Sequence, residues 1–352
     1  MEKVIAQSMD GPVVDVALVT EYILAVQKKS GEIPWSKGGQ TDNWDHVENA
    51  MALTIAGHYE AARNAYQWSA DTQMRDGSWW SCYRNGVPEK KAHKDSNMTA
   101  YIAVGLLHYY IASNDAAFLR RMWGTVSRAM NFILEMQANE GEIYWAKRAD
   151  HTIDRKALLT GSCSIYLSLT CALGIASVLG YRKPEWKEAR ERLGRAIALK
   201  PHRFDQTKSR YAMDWYYPVL SGVFRGEDAN RRIERMWDQF VIPDWGVRCV
   251  SDQPWVTIGE TAELCISLAA AGRTALSETV LGWISNKIYE DGAFWTGVTV
   301  PDKIIYTEEK TTWSGASVIL AADMIYAVSS ASRFFRHGYL DAFSDRHLQR
   351  IK

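Results

Sequence analysis

Apolar positions recur at helical spacing along most of the chain. In 117–137 (AFLRRMWGTVSRAMNFILEMQ), Phe118, Met122, Val126, Ile133 and Met136 fall on one side, while Arg120, Arg121, Ser127, Arg128 and Asn131 lie largely on the other. That spacing predicts an amphipathic surface helix. Segments 57–73, 185–199, 229–240 and 274–288 read the same way with less regularity. A second kind of segment is apolar nearly all round: 97–110, 163–179, 261–271 and 316–328. Helices of that kind are buried. Residues 161–180 carry no charge for 20 residues, long enough to span a bilayer, but their Ser, Thr, Cys and Gly content makes a buried core helix the expectation. RCVSD and FWTGVTV read as short strands, and no alternating run is long enough to build a sheet.

The two kinds of helix alternate, and the loops between them repeat. VQKKSGEIPW (26–35), TQMRDGSWW (72–80), EMQANEGEIYW (135–145) and KIYEDGAFW (287–295) share a core of Q-x3-G followed by Trp, with VIPDWGVRCV (241–250) as a degenerate copy. After each loop comes the start of an all-apolar helix. These starts are 42–53, 95–106, 160–169, 212–223, 257–268 and 310–321. Six outer and six inner helices close into an all-α (α/α)6 toroid, because six pairs bury one shared inner ring. No Pro/Gly/Ser linker or shift in composition divides the chain. The expectation is one domain over 1–352, with about 15 N-terminal and about 20 C-terminal residues peripheral.

In such a toroid the inner helices are parallel, so their N-termini converge on one mouth. The residues at the six starts are therefore the candidate site. Asp95, Asp45, Asp214 and Glu260 are the candidate catalytic carboxyls. Trp44, Asn97, Tyr101, Trp215, Tyr216, Tyr217, Trp313 and His93 are the candidate substrate-binding groups. Asp42, Glu48, Ser162, Ser164, Glu263 and Thr312 belong to the same starts. Carboxyls among aromatic walls can hold their protons to higher pH and act as general acids. The competing structural reading is helix capping, which Asp, Ser, Thr and Asn perform in any helical protein. The loop PEKKAHKD (88–95), with Lys90, Lys91, His93 and Lys94, could bind an anion at the mouth or be a solvated surface loop.

Composition narrows the chemistry. Lys plus Arg and Asp plus Glu number 41 each among 352 residues, so no global basic field exists to hold nucleic acid. The 15 Trp and 17 Tyr outnumber the 9 Phe, and rings with a polar edge suit cavity walls and sugar- or cation-binding surfaces. Five cysteines without C-x-x-C spacing read as reduced thiols, and the N-terminus lacks a secretion signal, so a cytoplasmic protein is expected. No metal site or cofactor is expected. Dinucleotide, P-loop, zinc-protease and serine-hydrolase motifs are absent.

Segment 66–79, YQWSADTQMRDGSW, resembles the repeat of the squalene–hopene cyclase and prenyltransferase superfamily, in which Q-x-x-x-G-x-W links an outer helix to the next loop. Ile143–Trp145 and Ala293–Trp295 lie in looser copies, and the resemblance extends as architecture over about residues 18–330. It implies a terpenoid-cyclase-like toroid acting on an isoprenoid in an aromatic-lined cavity, with an Asp as general acid. It also leaves peripheral membrane contact open. In DSNMTA (95–100) the chain keeps Asp95, Thr99 and Ala100 of that family's acid segment, with Asn97 and Met98 where the family has acids. The alternative is a carbohydrate-active (α/α)6 enzyme, a glycosidase, lyase or epimerase, with Asp45 or Asp95 facing Asp214 or Glu260 across a small-molecule saccharide. A non-catalytic binding toroid is the third reading.

Overall fold

The computed structural model describes residues 5–6 and 14–349 of the chain. Its helices in chain order are α1 (Val16–Val26), α2 (Asn43–Ile55), α3 (Tyr59–Thr72), α4 (Ser96–Ala100), α5 (Ile102–Ser113), α6 (Ala116–Glu135) and α7 (Leu159–Leu179). They continue with α8 (Pro184–Leu199), α9 (Ala212–Leu220), α10 (Gly226–Phe240), α11 (Ile258–Ala270), α12 (Thr274–Ile284), α13 (Thr312–Tyr326) and α14 (Tyr339–Gln349). The six inner positions of the ring are α2, α4–α5, α7, α9, α11 and α13. Neighbours pack in that order, and α13 closes back on α2. The outer positions are α1, α3, α6, α8, α10 and α12. This is the all-α (α/α)6 toroid that the alternation predicts. The six expected inner starts each fall within two residues of an observed one.

The uncharged segment 161–180 lies within α7. That helix is long and apolar enough to cross a membrane, yet most of it is buried, and α14 packs along it. Three of its hydroxyls are spent inside the protein: Ser168 and Thr170 donate to the carbonyls of Ser164 and Tyr166 at 2.8 and 2.9 Å, and Ser177 donates to Ser344 O at 2.8 Å. α7 is thus the inner helix of a ring.

The repeated loops join neighbouring outer helices, and their geometry explains the motif. Gln73 Nε2 donates to Gly77 O at 2.9 Å within its own loop and to Thr125 O of α6 at 3.0 Å. Gln27 spans in the same way to Gly31 O and to Ala61 O of α3, at 3.2 and 3.0 Å. Gln137 reaches Gly141 O and Ala189 O of α8, at 3.0 and 2.9 Å. Each glycine has a left-handed φ and lies directly on the next outer helix. A Cβ on Gly77 would stand 2.1 Å from Arg128 O, and one on Gly31 2.1 Å from Asn64 O. The fourth copy has Ile288 in place of Gln, but Gly292 still packs on Leu18 of α1 and so closes the outer ring. The Gln and Gly of the motif are therefore a clamp between outer helices.

Strands are short, two or three residues each among the described residues. The largest group is a four-stranded antiparallel sheet ordered Gly297–Thr299, Trp255–Thr257, Gly246–Arg248, Val241–Ile242. In it Val256 pairs with both Val298 and Arg248. The expected FWTGVTV strand is present as Gly297–Thr299, but RCVSD contributes only its first residue. Runs this short carry too few positions for alternation to be read.

Candidate active site

The mouth holds a cavity of about 290 Å³ over the N-termini of α4, α7 and α9. Its apolar wall is Trp44, Met98, Ile143, Leu158, Ile165 and Met213. Its polar wall includes Asp95, Asn97, Thr160, Ser162, Lys208 and Asp214. A second recess of about 470 Å³ carries Lys90, Lys91, His93 and Arg148, and Trp145 lines both. Four predicted residues, Asp95, Asp214, Trp44 and Asn97, thus share one cavity, and His93 stands in the adjoining recess.

The carboxyls differ in what already occupies them. Asp42 caps α2: one oxygen accepts from the backbone N–H of Trp44 and Asp45 at 2.8 and 2.9 Å, and the other accepts from the Trp35 indole. Asp95 caps α4 through Met98 N at 3.0 Å, and its other oxygen lies 3.7 Å from His93 Nε2. Asp214 Oδ1 accepts from Thr160 N at 3.1 Å and Thr160 Oγ1 at 2.6 Å, tying α9 to α7. Burial raises the Asp214 pKa, against the pull of Thr160 and Arg232. The Glu260 carboxylate accepts from the Thr257 hydroxyl at the start of α11, and the Cys249 thiol reaches it too.

Asp45 is unlike these. It lies in the first turn of α2, is partly open to solvent, and among the described residues nothing hydrogen-bonds its side chain. Burial, then the charges of Asp42, Glu48, Glu263 and Glu260, push its pKa well above the ordinary carboxylate range. A helix N-terminus favours the anion by roughly 0.3–1 kcal/mol, whereas desolvation alone can move a carboxyl by several pH units, so the protonated form wins. Asp45 is not in the wall of the 290 Å³ cavity, but its neighbour Trp44 is.

Below the mouth the ring axis is filled. Glu48 Oε1 accepts from Trp44 Nε1 and Tyr101 OH, both at 2.8 Å, and Trp313 also reaches this carboxyl. Glu263 accepts from Tyr216 OH. Glu48 Oε2 and Glu263 Oε1 have no partner. Tyr101 and Tyr217 complete a gap with no room for a water molecule. Burial raises the Glu48 pKa to about 7, and burial followed by the charge of Glu48 pushes Glu263 well above its usual value.

These acids bind protons more tightly folded than unfolded. Their contribution to stability is therefore complete below about pH 4 and lost as pH rises through the folded value. For Glu48 the window runs from about 4.5 to about 7. The melting temperature is expected to fall by several degrees between pH 5 and 8. Glu263→Gln, which still accepts from Tyr216, should flatten that slope and exceed the wild type in melting temperature at pH 8. A variant less stable than wild type at pH 8 would mean that Glu263 is held as a needed anion.

The predicted aromatic wall is only partly a wall. Trp44 lines the cavity, whereas Tyr101 and Tyr216 are fully buried supports for Glu48 and Glu263, and Tyr217 is buried beside them. Trp215 is a core residue: it is 1% exposed, stacks on Phe240 of α10 at 5.2 Å and donates to Arg232 O at 3.0 Å. Its place in the first turn of α9 suggests the mouth, but its side chain points outward between two helices. Trp313 covers Gly259, where a Cβ would stand 2.3 Å from the ring. His93 packs edge-on against Trp145 at 4.6 Å. The cavity residues Trp145, Met98, Met213 and Thr160 were not among the sequence candidates. Trp145 carries a signal, since it is the Trp of the third repeat loop.

No protein-family profile matches the chain. It is 47% identical over 316 residues to the MMP endo-(1,4)-3-O-methyl-alpha-D-mannosidase of Mycolicibacterium hassiacum, which covers 90% of this chain and 87% of the relative. Among solved structures it is similar to a wild-type glycosidase, with TM-score 0.69, 13% identity, and 89% of this chain and 98% of the other covered. It is likewise similar to a GH63 mannosylglycerate hydrolase of Thermus thermophilus, with TM-score 0.67, 11% identity, and 86% and 99% covered. At such identities these two show the fold. The identity to the mannosidase overturns the terpenoid-cyclase and prenyltransferase assignment, and with it the isoprenoid substrate and the cyclase, isomerase and lyase activities. The repeat that suggested that superfamily is an outer-ring clamp, which any toroid of paired helices can use. The chain belongs to the family of the MMP endo-(1,4)-3-O-methyl-alpha-D-mannosidase.

Proposed function

We propose that this protein is a glycoside hydrolase that cuts internal 1,4-linkages in an α-mannan chain bearing 3-O-methyl groups. The observation that carries the reaction class is the 47% identity to an endo-mannosidase over 90% of the chain. Hydrolysis of a glycoside takes one carboxylic acid to protonate the leaving oxygen and one carboxylate partner. Asp45 is the acid: burial and its carboxyl neighbours hold its pKa well above the ordinary carboxylate range, and its side chain is unpaired and reachable from solvent. Glu260 is the carboxylate partner, held by Thr257 and near enough to raise the Asp45 pKa. The hydrogen bonds that commit Asp42 and Asp214 to helix starts remove them from contention. The cavity and the recess that meet at Trp145 begin beside Asp45, at its neighbour Trp44, and give one side of an extended chain somewhere to run.

Incubation with a 4-linked, 3-O-methylated α-mannooligosaccharide, followed by mass spectrometry, tests the reading. Shorter oligosaccharides are expected as the first products. Release of single sugars only, or no cleavage by folded protein, would overturn it.

A further inference from the structure

The 290 Å³ cavity presents mainly apolar surface for a site that takes sugars. Trp44, Met98, Leu158 and Met213 present partly exposed apolar surface to it. Yet two polar atoms in its wall residues, Asn97 Oδ1 and Ser162 Oγ, have no hydrogen-bond partner, although Asn97 is only 7% and Ser162 1% exposed. The indole N–H of Trp145 is also unpaired. Buried polar atoms without partners are costly, and such atoms in a cavity wall mark where a ligand completes the pairing.

An O-methylated sugar matches this division. Methylation replaces a hydroxyl donor with a small apolar group that needs contact rather than a hydrogen bond. We propose that this cavity is the subsite that selects the O-methylated sugar, an inference that rests on the hydrolase reading above. The ether methyl lodges against Met98 and Met213, with Leu158 and the Trp44 ring completing the apolar side. The free hydroxyls of the same sugar pair with Asn97 Oδ1 and Ser162 Oγ. Met98 and Met213 suit this role because an unbranched thioether adapts to an irregular apolar substituent. A free hydroxyl placed against them would lose its water and find no partner, so the wall disfavours unmethylated sugar as well as favouring methylated.

The test compares two 4-linked α-mannooligosaccharides of equal length, one 3-O-methylated and one not, on the full-length chain. One methyl in a hydrophobic pocket is worth roughly 10- to 200-fold in kcat/KM, so the wild type is expected to prefer the methylated substrate by at least about tenfold. Met98→Gln and Met213→Gln should each cut that ratio about tenfold, and Met213→Leu should keep it. The ratio is the readout because a general loss of activity moves both substrates together. An unchanged ratio in both glutamine variants would overturn the assignment. Calorimetric binding of the same two oligosaccharides to the Asp45→Asn chain reads the preference without hydrolysis. Equal affinities there would overturn the subsite. A retained binding preference with no cleavage by the wild type would overturn the hydrolase reading while sustaining the subsite.

Discussion

Asp45→Asn is expected to lower kcat on the methylated mannooligosaccharide by about 10²–10⁴-fold while leaving the melting temperature at neutral pH unchanged or higher. The two halves of this result have one cause. The Asp45 carboxyl has no hydrogen-bond partner among the described residues, and burial with four neighbouring carboxyls keeps its proton on. Asparagine is close to the shape of that neutral acid but has no proton to give, so the chemistry stops. Folding no longer requires the side chain to take up a proton, so stability is not lost. The wild-type rate should therefore hold through the range where ordinary carboxylates have ionised and fall on the alkaline side as Asp45 deprotonates. Asp42→Ala supplies the contrast: removing that cap should cost about 0.5–2 kcal/mol of stability. Unchanged turnover in the Asp45→Asn chain would transfer the acid role to Asp95, which faces the cavity.

The toroid was legible because its signals are local and repeated. The amphipathic period of α6, the uncharged run of α7 and the six inner starts each follow from a few consecutive residues, and their alternation fixes the ring. The mouth was legible for the same reason, since parallel inner helices bring their first turns together. What those first turns do was less accessible. Asp42 and Asp45 are three residues apart with the same side chain, but one is spent on two backbone N–H groups and an indole while the other is free. That distinction depends on Trp35, Glu260 and Glu263, which meet α2 only in three dimensions. Trp215 illustrates the opposite error: its chain position belongs to the mouth, but a first-turn residue can point away from it, and here the ring is held by Phe240. The cavity wall draws on Met98, Ile143, Thr160 and Met213, which lie in three inner starts and a repeat loop, but which side chains of those segments face the cavity is decided only in three dimensions.

The resemblance to the cyclase superfamily went wrong at an instructive place. The resemblance rests on Q-x3-G-x-W, whose physical content is packing between outer helices. A substitution at its glycine should therefore damage the fold. Gly77→Ala is expected to cost more than about 3 kcal/mol, because the Cβ would meet Arg128 O at 2.1 Å and Arg128 C at 2.4 Å. The obstacle is α6 backbone, which cannot move aside without breaking the Gln73 bond to Thr125 O. Left-handed φ adds its own strain for alanine, and Gly272→Ala isolates that part: its φ of +85 is close to the +89 of Gly77, and nothing lies within 4 Å of the added Cβ. Gly272→Ala should cost only about 1 kcal/mol. Denaturant unfolding of the two variants beside the wild type measures the difference. Near-equal losses would mean that the clamp contributes conformation only, and that the close seat of each repeat loop on the next outer helix does not hold the ring together.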